Sequence, residues 1–107
     1  MRKIESQMVE AVANHVCWKS ANTQVIYSAI RGASEVYLHS NLIAIVDLMG
    51  RTQIMDGGWQ SNTTKSRLNA LLSRVGGRVF AKKFEWFVNT PEGVKEFENG
   101  MILGWKE

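Results

Sequence analysis

Asp56-Gly57-Gly58-Trp59-Gln60-Ser61-Asn62-Thr63-Thr64-Lys65-Ser66-Arg67-Leu68-Asn69-Ala70-Leu71-Leu72 is a glycine turn, a tryptophan and a helix start in immediate succession. It divides the chain into the strands before it and those after it. The two glycines interrupt any regular element, and Asn62 or Thr63 can cap free backbone N–H groups, which predicts a helix from Thr63 to about Val75. Leu68, Leu71, Leu72 and Val75 then fall on one stripe about 100° wide, with Thr64 at its edge. That stripe faces a core. Arg67 and Arg74 stand on one flank of it and Lys65 on the other, while Ser66, Ala70 and Ser73 form a small-residue outer face. A helix start carrying hydroxyls and cations favours anions, because the unpaired N–H groups and the dipole both point at them.

Working back towards the N-terminus, residues 2 to 16 place Ile4, Met8, Ala11, Val12 and Val16 at helical spacing. This is an amphipathic helix, with His15 in its apolar arc as a half-buried packing residue. Trp18 closes the helix against a sheet, and Lys19 to Asn22 form a polar connection. Thr23 to Ile30 and Glu35 to His39 read as strands, the second alternating cleanly. Ser40-Asn41 supplies a tight turn to the apolar run from Leu42 to Leu48, and Arg51 to Met55 returns as a fourth strand. Beyond the second helix, Gly76-Gly77 is a stop signal. Val79 to Val88 is a strand or a bent pair of strands, Thr90-Pro91-Glu92-Gly93 a turn, and Asn99-Gly100 a hairpin signal between apolar flanks. The order is α-β-β-β-β-α-β-β. It specifies one α+β domain over residues 1–107, an antiparallel sheet of five to six strands with two helices on one face.

Composition narrows the functional classes. With 45% hydrophobic and 21% charged residues the chain has a globular balance, and no run approaches the roughly 20 apolar residues of a membrane helix. Arg2, Lys3, Glu5 and Glu10 occupy the place of a signal peptide's apolar segment, so a cytoplasmic protein with no membrane partner is expected. Cys17 is the only cysteine, which rules out an intrachain disulfide or a thiolate zinc cluster and leaves a buried structural thiol as the expectation. The net charge of +3 is unevenly spread. Residues 51 to 83 carry seven cations against Asp56 alone, whereas residues 84 to 107 hold five glutamates against Lys95 and Lys106. Either an acidic or phosphate-bearing partner faces the middle segment, or the acidic tail folds over it.

Catalytic signals are thin. His15, Cys17 and His39 are the only imidazoles and thiol, and the first two point to different sides of a helix. Asp47 and Asp56 are isolated, and there is no phosphate-binding glycine-lysine loop or dinucleotide fingerprint. No catalytic residue, metal or cofactor is assigned. What the sequence offers is a surface made of Trp59, Thr63, Thr64, Lys65, Arg67, Arg74, Arg78, Lys82 and Lys83. The cations suit successive phosphates with Trp59 as a stacking platform. They equally suit the charged rim of a protein interface with Trp59 as its anchor. Trp59 itself reads as well as a core anchor behind a glycine turn.

Arg2-Lys3-Ile4-Glu5, Leu38 to Ala44 and, above all, Trp59-Gln60-Ser61-Asn62-Thr63-Thr64-Lys65-Ser66-Arg67-Leu68-Asn69-Ala70 resemble a group of small uncharacterised bacteriophage proteins. The closing Phe97-Glu98-Asn99-Gly100-Met101 fits them too, while Ser40 replaces the glycine usual in their hairpin. The resemblance implies the cytoplasm of an infected bacterium. It also implies an accessory role in stoichiometric binding to a host nucleic-acid-processing or defence protein or nucleoprotein complex, with direct binding of DNA or RNA as the alternative.

Overall fold

A computed structural model describes residues 1–104. The chain runs through helix α1 (Lys3–Ala13) and five strands, β1 (Trp18–Ser20), β2 (Thr23–Ser28), β3 (Ala33–Leu38), β4 (Asn41–Asp47) and β5 (Thr52–Ile54). Helix α2 (Asn62–Leu72) follows, then β6 (Arg78–Lys82), β7 (Glu85–Thr90), β8 (Gly93–Glu96) and β9 (Met101–Leu103). All pairings are antiparallel, and the α+β class expected from the sequence is the one observed.

The strands form two sheets, one of six in the order β1-β2-β3-β4-β5-β9 and one of three in the order β6-β7-β8. Besides this division of the expected single sheet and the additional strand β8, two details differ from the sequence expectation. Trp18 to Ser20, expected as the helix closure and a connection, is a short strand on β2. The Asn99-Gly100 turn is present, with the Met101 N–H donating to the Glu98 carbonyl, but it joins different sheets. Its flanks do not pair, because β9 finds the free edge of β5. Among the described residues the acidic tail ends at Glu98, and Lys106 and Glu107 lie outside them.

Strand alternation decides which face of the large sheet is dry. Thr23, Val25, Val36, Leu38, Ala44, Ile54 and Leu103 are buried, whereas their neighbours Gln24, Ile26, Glu35, Tyr37, Ile45, Gln53 and Ile102 are half-buried or exposed. A bulge between Val36 and Tyr37 pairs Val36 with Ala44 and Tyr37 with Leu42, which leaves Ile43 as the extra residue. Ile43 and Ala44 can therefore both be buried, at 1% and 0% exposure, against the usual alternation.

Helix α1 packs on β1 and β2 through Met8, Ala11 and Val12, and α2 on β4, β5 and β6 through Leu68, Leu71 and Leu72. Val79, Trp86 and Val88 of the small sheet join the same core, with Trp86 meeting Phe97 edge to face at 5.3 Å. Helix α1 ends earlier than its apolar pattern suggests. His15 has a positive φ of 55° beyond the cap, is exposed, and stacks on Tyr27 at 5.3 Å rather than packing in the helix arc. Cys17, expected to be buried, is exposed because the same early ending carries it to the surface, where its Sγ accepts from the Tyr27 N–H at 3.4 Å.

Candidate functional site

The turn before α2 is built around one carboxylate. Asp56 Oδ1 accepts the Gly58 N–H at 2.8 Å, while Oδ2 accepts from Gln60 Nε2 at 3.3 Å and from Asn99 Nδ2 at 3.4 Å. The Asp56 N–H in turn donates to Asn99 Oδ1 at 2.8 Å, which ties the turn to the loop before β9. Gly57 and Gly58 both have positive φ, 70° and 89°. A β-carbon at Gly57 would lie 3.1 Å from Ile43 Cγ2, so conformation and space both select glycine there.

The other end of the turn is fixed by the helix cap. Ser61, not Asn62 or Thr63, is the cap residue: its Oγ accepts the Thr64 N–H at 3.0 Å, and helix α2 starts at Asn62. The Trp59 carbonyl accepts from the Ser61 N–H at 3.1 Å and from Thr64 Oγ1 at 3.3 Å. Trp59 is thus held on a turn that is hydrogen-bonded on both sides of it, while its side chain stands 75% exposed. A backbone fixed in this way lowers the part of the ordering cost of binding that the main chain would contribute, and Trp is a residue type enriched where binding energy concentrates.

The cations expected on this surface divide into three groups. Arg67, expected on an open flank, is buried at 4% exposure. Its Nη1 donates to Glu5 Oε2 at 2.8 Å, its Nε to Thr23 Oγ1 at 3.0 Å and its Nη2 to Asn22 Oδ1 at 3.4 Å. Ser66 Oγ adds a 2.5 Å bond to the same Glu5 oxygen. The flank that carries Arg67 is the one α1 covers, so this guanidinium joins two helices to β2 and is unavailable to a partner. Burial alone would raise the Glu5 pKa, but the hydrogen bonds from Ser66 and Arg67 and the arginine charge outweigh it and hold it below its usual value. Thr64 is buried too, its hydroxyl bonded to the cap and the Trp59 carbonyl.

Lys65 and Arg78 form the second group. They line a shallow depression of about 400 Å³ with Asn62, Ser66 and Asn69, and Thr63 is half-buried in the first turn of α2. The third group lies apart from the turn. Arg74 is exposed past the far end of α2, in a separate cleft of about 880 Å³ with Arg51, Pro91 and Lys95. Lys82 and Lys83 are exposed at the tip of the β6–β7 hairpin. Among the described residues, Lys65, Arg74, Arg78, Lys82 and Lys83 make no ion pair; the glutamate partners there serve Arg31, Arg67 and Lys95.

A family described as Kyanoviridae Gp96 protein matches residues 1–104. The chain belongs to this bacteriophage family. Neither a curated protein nor a solved structure matches it.

Several features of this Kyanoviridae Gp96 family member are marked weakly or not at all in local sequence patterns. Asp47 and Asp56, isolated in sequence, both organise turns: Asp47 accepts the Met49 and Arg51 N–H groups at 2.9 Å each and the Arg51 Nε at 2.7 Å. Aspartate beside glycine is the available signal for Asp56. Asn99 lies 43 residues from the turn it secures, and no local pattern announces that contact. Phe84, fully exposed at 102%, reads as strand in sequence because the stretch from Val79 to Val88 has no glycine or asparagine at its turn. Among the described residues no group of three or more His, Cys, Asp or Glu side chains could hold a metal ion, and no helix is long and apolar enough to cross a membrane.

Proposed function

We propose that this phage protein acts without catalysis, by stoichiometric binding to a host nucleic-acid-processing or defence protein in the cytoplasm of the infected bacterium. The observation that carries the reading is Trp59, an indole 75% exposed on a turn fixed from both ends. Leaving so large an apolar ring in water gains nothing for folding, whereas a pocket on a partner would bury it with little further ordering of the backbone that carries it. Lys65 and Arg78 supply unpaired charge for the rim, where it steers encounter more than it holds the complex. The phage family supplies the setting, an infected bacterium.

The test is capture from host lysate with wild type and Trp59→Ala, both verified as folded by thermal melts, followed by titration of the captured protein. Truncation of a central tryptophan is expected to weaken binding by at least about 30-fold, while Arg67→Lys, a change in the interior rather than on the surface, should leave affinity unchanged once the variant is verified as folded. A partner retained equally by Trp59→Ala removes the reading.

A further inference from the structure

The small sheet carries aromatic rings and cations on the face turned away from the core. Arg78, Phe80 and Lys82 of β6 stand opposite Asn89, Phe87 and Glu85 of β7 on that face, while Val79, Trp86 and Val88 point inward. Phe80 and Phe87 are direct cross-strand partners with rings stacked 5.9 Å apart, and neither is packed against the core cluster. They shield each other and leave ring surface open to water.

At the tip, Lys83-Phe84 makes a two-residue turn with φ of 51° and 66°. Such a turn ordinarily takes Asn-Gly, and two residues bearing β-carbons are strained in it. Phe84 gains no burial in return, being fully exposed. Folding alone would be served better by glycine there.

The charge on this side is also unbalanced. Lys65, Arg78, Lys82 and Lys83 make no ion pair among the described residues, and Lys65 and Arg78 share one depression. The carboxylates on the open face are Glu85, opposite Lys82, and Glu96, opposite Phe87. Three cations of the β6–β7 hairpin, with Lys65 of α2 beside Arg78, thus accompany three phenylalanine rings against two carboxylates.

We infer that this face binds single-stranded nucleic acid, with bases stacked on Phe84, Phe80 and Phe87 and successive phosphates against Lys82, Lys83, Arg78 and Lys65. Stacking requires bases free of a duplex, and the ring faces accept any base, so the preference is for strand state rather than sequence. The rings are distinct from Trp59, only Lys65 and Arg78 being shared with the rim proposed for the protein interface, and the inference does not depend on the protein-partner reading.

Fluorescence anisotropy with labelled oligothymidylate and oligouridylate of ~20 nucleotides, and with a duplex of the same length, tests it. Single strands are expected to bind at low salt at least about ten-fold more tightly than the duplex. Phe84→Gly should weaken binding roughly 5-fold to 100-fold, although it relieves the turn and raises the melting temperature. Changing Lys82 and Lys83 together to glutamine should flatten the log–log salt slope by about 1.4, from two lost phosphate contacts. Trp59→Ala should leave oligonucleotide affinity unchanged. Binding of either DNA or RNA strands in this pattern supports the inference, and their relative affinity identifies the strand. It is overturned by absence of binding at low salt, by equal affinity for duplex, by unchanged affinity of both Phe84→Gly and Phe87→Leu, or by Phe84 serving only a protein contact.

Discussion

Replacing Arg67 by alanine should unfold much of the population at temperatures the parent tolerates. The substitution leaves Glu5, 4% exposed, as a carboxylate whose remaining side-chain donor is Ser66. It also strips the buried Thr23 hydroxyl and Asn22 of their guanidinium contacts. Removing one member of a buried ion pair costs about 3–5 kcal/mol, because the surviving charge stays desolvated without compensation. A chain of 107 residues has a stability on the order of 5–15 kcal/mol, so the loss is roughly a third of the total. The melting temperature should fall by on the order of 20 °C. Urea denaturation followed by far-ultraviolet circular dichroism measures the change directly. The paired variant Glu5→Gln, Arg67→Met should return to within about 2 kcal/mol of the parent, since no charge is then buried. A loss under about 1 kcal/mol for Arg67→Ala, or a paired variant that falls by the sum of its single changes, would refute the assignment of Arg67 to the interior.

Acid should probe the same pair. Burial raises the Glu5 pKa, but Ser66 and Arg67 together bring it below its ordinary 4.5, so the folded state holds this proton less tightly than the unfolded state. The resulting stability is present above pH 4.5 and is lost as pH falls through the lower folded value. Urea midpoints measured on descending through that range should drop more for wild type than for Glu5→Gln, Arg67→Met, and parallel curves would contradict the coupling. Lys83→Asn with Phe84→Gly should stabilise the β6–β7 hairpin by about 1–2 kcal/mol, because both positions have positive φ; an unchanged melt would show that the turn is not strained. Ser61→Ala should cost about 1 kcal/mol and speed hydrogen exchange at the Thr64 amide, whereas with Asn62→Ala the exchange rate at that amide should not change. Cys17 should be alkylated by iodoacetamide in native buffer at a rate close to that in urea, since it is exposed, and protection in native buffer would argue otherwise.

Local patterns carry much of this fold into view. The alternation of Val36 and Leu38, the periodicity of Leu68, Leu71 and Leu72, and the glycines on either side of α2 are signals read over a few residues, and they place both helices and the central strands. The two-sheet division is not of this kind. Val79 to Val88 reads as apolar strand in either arrangement, and β9 joins the large sheet because the edge of β5 is open, a fact about distant chain segments. The bulge that buries both Ile43 and Ala44 likewise depends on the β3 register.

The candidate surface divides the same way. Sequence alone determined an α+β chain with a cationic middle and a tryptophan behind a glycine turn, because composition and short-range periodicity need no knowledge of neighbours. Tertiary structure decided which of those residues meet water: Trp59 and Phe84 do, Arg67 does not. A helix flank looks the same in sequence whether solvent or another helix lies beside it. The packing of α1 against α2 turned an apparent phosphate contact into an internal ion pair.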